Sequence, residues 1–238
     1  MKKLILTILF CLIVFVTYFV LSNLTLQTDS KKRIKGIDIS NSYEGNLNWS
    51  ALNDYNGFVI LRAVRAIDTC KTKGKEKFIS VIDTNFSKNW NELKAKNIPR
   101  GAYHFFAPNV SAVLQFKSFK EAVKLEKGDL PPILDVENRN CNMDEVFKWL
   151  DLAKEYYKVT PILYSDYFFY KVFLKKRNTQ YPLWLYLNEN SYMEPSFNDP
   201  NCIFWQYKQD EEINNFQEKV DFNVFVGDSS EFYKLLKK

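Results

Sequence analysis

The chain has 238 residues, 46% hydrophobic and 16% aromatic, with a formal net charge of +5. That balance is too mild to argue for a nucleic-acid partner. Only 7 glycines, 1 histidine and 4 cysteines occur, with neither a Gly-rich phosphate loop nor metal-ligand spacing, so no nucleotide, metal or other cofactor is expected.

The first 30 residues read differently from the rest. Met1, Lys2 and Lys3 precede an uncharged run from Leu4 to Leu21. A run of about 18 apolar residues is long enough to span a bilayer as a helix, and the flanking lysines favour a cytoplasmic N-terminus. A cleaved signal peptide competes with this reading, since Val20 and Ser22 suit a small-residue cleavage site. Residues 1–22 are therefore read as a signal anchor or signal peptide, and polar residues 23–33 as a linker. The domain over 34–238 is expected outside the cytoplasm, membrane-anchored and facing the periplasm or cell exterior, or secreted if the leader is cut.

From Ile34 onward, strand and helix patterns alternate. β-rich runs cover 34–40, 58–64, 101–106, 132–137, 160–165, 181–187, 202–207 and 220–226. Helical patterns cover 86–97, 110–127 and 143–158. The second has Asn109 or Ser111 as a cap, and the third has Asn142 and Glu145 placed as a capping box. The end, DSSEFYKLLKK, reads as a short closing helix. The Lys-rich segment 66–85 is expected to be a long loop. Alternating strands and helices argue for parallel βα units. Several strands are apolar without alternation, as strands covered on both faces are. The expected fold is α/β: one modified TIM-like (β/α) barrel, whose active mouth lies at the C-terminal strand ends.

The strongest local chemistry is PPILDVEN. Asp135 and Glu137 sit two apart at the end of a strand-like run, which puts them on one face, about 6.6 Å apart along the chain. Like charges so close disfavour double ionisation, so one carboxyl should hold its proton longer. Glycoside cleavage needs such a proton for the leaving oxygen. Asp38, between Ile37 and Ile39, also ends a strand-like run and faces opposite to both. Asp221 lies on the last strand, which abuts the first in a closed barrel; alternation leaves open whether it faces the mouth or merely starts the strand. His104 is read as a packed, hydrogen-bonded core residue. Trp184, Trp205 and Tyr164 are strand aromatics, and at a barrel mouth such side chains suit sugar subsites.

Taken in order, GIDIS, FVILRA, DTNFSKNW, GAYHFF, LPPILDVE, PILYS, PLWL, FWQY and VDFNVF resemble glycoside hydrolase family 25, the Chalaropsis-type lysozymes. The resemblance spans residues 36–226. It implies hydrolysis of the β-1,4 bond between N-acetylmuramic acid and N-acetylglucosamine in peptidoglycan, with anomeric configuration retained. It further implies Glu137 as general acid, Asp135 as its partner carboxylate, and Asp38 and Asp221 completing an acidic cluster. Tyr103, Tyr164, Trp184 and Gln206 would line sugar subsites. The implied partner is the peptidoglycan glycan strand, met by a monomer. The chain departs from the family at its rims: NSYEGNLNW carries Glu44 where the family often has Gln-Gly, VRAIDTCKTKGKEK is longer and more basic, and LYLNE follows Trp184. A disulfide between Cys70 and Cys141 is also expected. A catalytically silent wall-binding module and a hydrolase of another acetamido-sugar polymer, such as chitin, are the competing readings.

Overall fold

The structure, a computed structural model, describes residues 15–17, 33–39, 47–52, 55–68, 78–178, 180–191, 194–197 and 199–238. The chain divides into Met1–Arg33 and Ile34–Lys238. Of the first unit only a helical turn at 15–17 and Arg33 are described. The apolar run and linker expected there otherwise lie outside the described residues, as do Glu44, Cys70 and the lysine-rich stretch 69–77. Among the described residues, no helix is long and apolar enough to cross a membrane.

The second unit is a closed mixed barrel. Its strands are β1 (Lys35–Ile39), β2 (Phe58–Asp68), β3 (Phe78–Ile82), β4 (Arg100–Phe105), β5 (Ile133–Asp135), β6 (Ile162–Asp166), β7 (Leu183–Tyr186), β8 (Cys202–Glu211) and β9 (Val220–Phe225). Eight of them form the ring β1-β9-β8-β7-β6-β5-β4-β2, which closes through the β1–β2 pairing. Seven run parallel; β9 is antiparallel to both β8 and β1. The expected parallel βα pattern thus holds for seven strands of this modified barrel, and a short connection after β8 turns the chain straight back into the eighth.

Outside the ring, β3 pairs antiparallel with the end of β2, from Val64–Ile82 to Asp68–Phe78. Within the expected long loop over 66–85, residues 66–68 and 78–82 are thus paired strands. The paired stretches, VRAID and FISVI, are β-branched and self-pairing, and the lysines between them hid that pattern.

Helices α1 (Phe86–Ala95), α2 (Ala112–Ala122) and α3 (Met143–Tyr157) cover the barrel after β3, β4 and β5. Ser111 caps α2 and Asn142 caps α3. Glu145 does not complete the expected capping box. Its carboxylate accepts from Ala112 N at 2.5 Å, placing its charge at the positive end of the neighbouring helix. Helix α2 stops before the expected 127 because Val123 turns extended and is buried with Leu125.

Strand alternation sorts the side chains. Ile37, Val59, Leu61, Leu134, Leu163 and Leu185 face outward into the layer under the helices. Phe58, Ile60, Ile133, Ile162 and Phe204 face inward. The floor is aromatic: Phe58 lies 5.0 Å from Phe204 and 5.5 Å from Phe232 between ring centroids. Phe232 comes from the closing helix α4 (Ser229–Leu235), which starts with a complete Asp228/Glu231 capping box. Gly36 permits this floor, because a Cβ there would stand 2.2 Å from the Phe58 ring. With its floor filled by apolar side chains, the described barrel opens at the strand C-termini.

Two of the expectations concern single residues in the layer outside the strands. His104 is fully buried, its Nε2 2.8 Å from Gln115 Oε1 and its ring stacked on Trp149 at 5.7 Å. Burial lowers its pKa to about 4, so it is a neutral packing residue, as expected. Cys141 is a free, buried thiol, and Cys70, its expected partner, lies outside the described residues. Burial pushes that thiol up to about 11.

Candidate active site

At the mouth, the inward positions change from apolar to polar. A cavity of about 160 Å³ is lined by Asp38, Arg62, Tyr103, Phe105, Asp135, Glu137, Tyr164, Trp184, Gln206, Gln209 and Asp221. All eight residues singled out from the sequence therefore meet in one place. Trp205 does not join them; its indole Nε1 donates to Leu187 O at 2.7 Å.

Each acid arrives by a different route. Asp38 is the inward residue near the end of β1, and it sits directly opposite Asp221 in the antiparallel ladder. Asp221 is the second residue of β9. Because β9 is reversed, its beginning lies at the mouth, so Asp221 both starts a strand and faces the cavity. Asp135 ends β5, and Glu137 stands just beyond it, exposed at the rim.

Uncharged side chains hold the acids. Gln206 Nε2 donates to Asp38 Oδ1 at 2.8 Å and to Asp221 Oδ2 at 3.0 Å. Its Oε1 accepts from the Tyr164 hydroxyl at 2.6 Å. Asn223 Nδ2 donates to Asp38 Oδ1 at 2.7 Å, while its Oδ1 accepts from Trp184 Nε1 at 2.8 Å. The Trp184 indole, a donor only, fixes which end of the Asn223 amide points at Asp38. The Trp184 and Tyr164 rings pack 4.5 Å apart. Asp135 differs: its Oδ1 is buried without a hydrogen-bond partner among the described residues.

The electrostatics favour retained protons. Burial, then Glu137 and Asp38, hold the Asp135 carboxyl well above the usual aspartate range, against the opposing charge of Arg62. Burial and Asp221 raise Asp38, against its bonds to Asn223 and Gln206. Burial raises Asp221 to about 6. Glu137 is also raised, by partial desolvation and then by Asp166 and Asp221, while the nearby Tyr164 hydroxyl acts the other way. Crowded carboxyls in low dielectric cannot all ionise.

Sequence reasoning passed over Arg62, Phe105, Gln209 and Asn223. Arg62 is fixed by a two-point bond to Asp83, at 3.0 and 3.3 Å. The signal for it was present: Phe58, Ile60 and Arg62 alternate along β2, so a cation in that run had to face the interior. Asn223 could be found in the same way from Asp221.

A barrel mouth holding raised carboxyls among indole and phenol rings carries the apparatus of acid-assisted glycoside cleavage. The chain belongs to family 25 of the glycosyl hydrolases, whose model matches residues 37–216. It is 30% identical over 225 residues to the uncharacterized protein YegX of Escherichia coli K12, covering 90% of this chain and 77% of that one. It is 24% identical over 222 residues to lysozyme M1 of Streptomyces globisporus, covering 85% and 71%. Among solved structures, a family 25 glycosyl hydrolase from Bacillus anthracis superposes with a TM-score of 0.68 at 26% identity, covering 87% of this chain and 95% of that one.

Proposed function

We propose that this glycoside hydrolase is a muramidase, cleaving the β-1,4 bond between N-acetylmuramic acid and N-acetylglucosamine in peptidoglycan. The observation that carries the reading is the shared cavity of Asp135 and Glu137, with Asp38 and Asp221 joined opposite them by Gln206. The similarity to lysozyme M1 supports the same substrate class.

In this reading Glu137 is the general acid. It stands at the rim, where a glycosidic oxygen can approach, and its raised pKa keeps a proton available for the leaving group. Asp135 faces the reacting sugar from below. Its unpartnered oxygen is free to accept from and orient a substrate N–H. Asp38, Gln206 and Asp221 form a rigid polar wall. Tyr103, Tyr164 and Trp184 supply apolar faces for a pyranose ring. The reading places the barrel outside the cytoplasm, in keeping with the apolar N-terminal run.

Incubating the full chain with purified peptidoglycan and identifying the new reducing-end sugar tests this directly. The expected product ends in N-acetylmuramic acid, and Glu137→Gln should abolish its release. Equal inertness of wild type and variant on several walls, with wall binding retained, would favour the silent binding module. Release from chitin but not from peptidoglycan would favour the other acetamido-sugar polymer.

A further inference from the structure

Phe105 and Glu137 of the catalytic cavity also line a second, larger hollow of about 500 Å³, together with Asn138, Arg139, Phe169 and Phe173. A substrate held at Glu137 therefore borders both spaces.

The hollow has a different chemistry from that cavity. One wall is aromatic, with the Phe169 and Phe173 rings 4.8 Å apart. These rings come from the segment after β6, a helical turn Tyr167–Phe169 that widens into a π-helix over Tyr170–Leu174. Such widened turns are rare and often occur at functional sites. Phe173 is 41% exposed, and Phe168 and Val172 on the same segment are 63% and 71% exposed. The same hollow is lined by Arg139. It is exposed, and among the described residues it has no hydrogen-bond or ion-pair partner.

A pyranose asks for several convergent hydrogen-bonding groups. Beyond Glu137 this hollow offers only Asn138 and Arg139. An unpaired guanidinium in a hollow that also holds two phenylalanine rings instead suits an anion carried on a chain with small apolar side groups. The muramyl half of peptidoglycan bears such a chain: a peptide with alanine methyls and free carboxylates, attached through the lactyl ether. The geometry points to this hollow as the recognition site for that peptide arm, with Arg139 pairing a peptide carboxylate and Phe169 and Phe173 covering the methyl groups. The assignment rests on the muramidase reading and adds a specificity that the acid cluster does not explain.

The test compares two substrates: soluble glycan strands carrying their peptides, and the same strands after the peptides are removed by an amidase. The quantity read is the ratio of kcat/KM on the first to that on the second. Arg139→Gln should lower this ratio about five- to tenfold, mostly through KM. Phe173→Ser should lower it in the same direction by about threefold. Both side chains are exposed, so neither change endangers folding. An unchanged ratio in both variants would overturn the assignment. So would an equal loss on both strands, which would mean that the guanidinium meets the glycan itself. Wild-type activity with either result leaves the muramidase reading standing. No release by wild type from either strand would overturn that reading and this one together.

Discussion

Asp38 and Asp221 face each other across the β1–β9 ladder, and a single amide nitrogen, that of Gln206, donates to both at 2.8 and 3.0 Å. Two acids on adjacent strands would repel; a shared donor holds them side by side and fixes the wall of the site. Gln206→Met removes that donor at almost constant volume. Hydrogen bonds to charged groups are worth about 1.5–3 kcal/mol each. The variant should therefore lose about 2–4 kcal/mol by urea unfolding at pH 7, and less at pH 4, where the raised acids carry protons.

Asp221 also predicts the shape of the stability curve. Its folded pKa of about 6 lies above the ordinary 3.8, so the folded state binds the proton more tightly than the unfolded chain does. Its contribution is fully present below about pH 4 and is lost as pH rises through 6. Asp221→Asn removes the charge and should flatten the curve. The variant should be more stable than wild type by about 1–2 kcal/mol above pH 7, allowing for solvent screening, with the gain vanishing near pH 4. A constant gain at both pH values would contradict the assigned shift.

The proton on Glu137 should govern the alkaline limb of activity. Glu137→Gln should reduce kcat by about 100- to 10,000-fold with no change in thermal unfolding. Asp166 raises Glu137 electrostatically while its side chain caps the turn after β6, accepting from Phe168 N and Phe169 N at 2.9 Å. Asn caps nearly as well as Asp. Asp166→Asn therefore keeps the turn, deletes the charge, and should move the alkaline limb of the pH–rate profile to lower pH. A limb that stays in place would remove Glu137 from the acid role.

At the far end of the barrel, Arg100 and Asp129 form a buried pair at 2.7 Å, with Arg100 lying 4.0 Å over the Trp90 ring. Removing Asp129 leaves the buried Arg100 with only the half-exposed Glu126, at 3.3 Å, as its counter-charge. Asp129→Ala should cost about 3–5 kcal/mol in denaturant unfolding, yet leave kcat at 25 °C within about twofold, because the pair sits at the N-terminal strand ends, away from the mouth.

Most of the fold and all four acids were legible in the amino-acid sequence, because strand alternation is local. The pattern Gly36–Asp38, Ile133–Asp135–Glu137 and Ile162–Tyr164 assigns an inward face to each run without reference to any neighbour. Capping residues Ser111, Asn142 and Asp228 mark their helices for the same local reason. Tertiary structure alone decided the rest. The reversal of β9 depends on which strands close the ring, and only that reversal brings the first residues of a strand to the mouth beside Asp38. The role of Gln206 as a shared donor depends on residues 168 and 15 positions away in the chain. The carboxyl pKa values depend on burial and on charges from β1, β5 and β9 together, and no single stretch of sequence contains those distances.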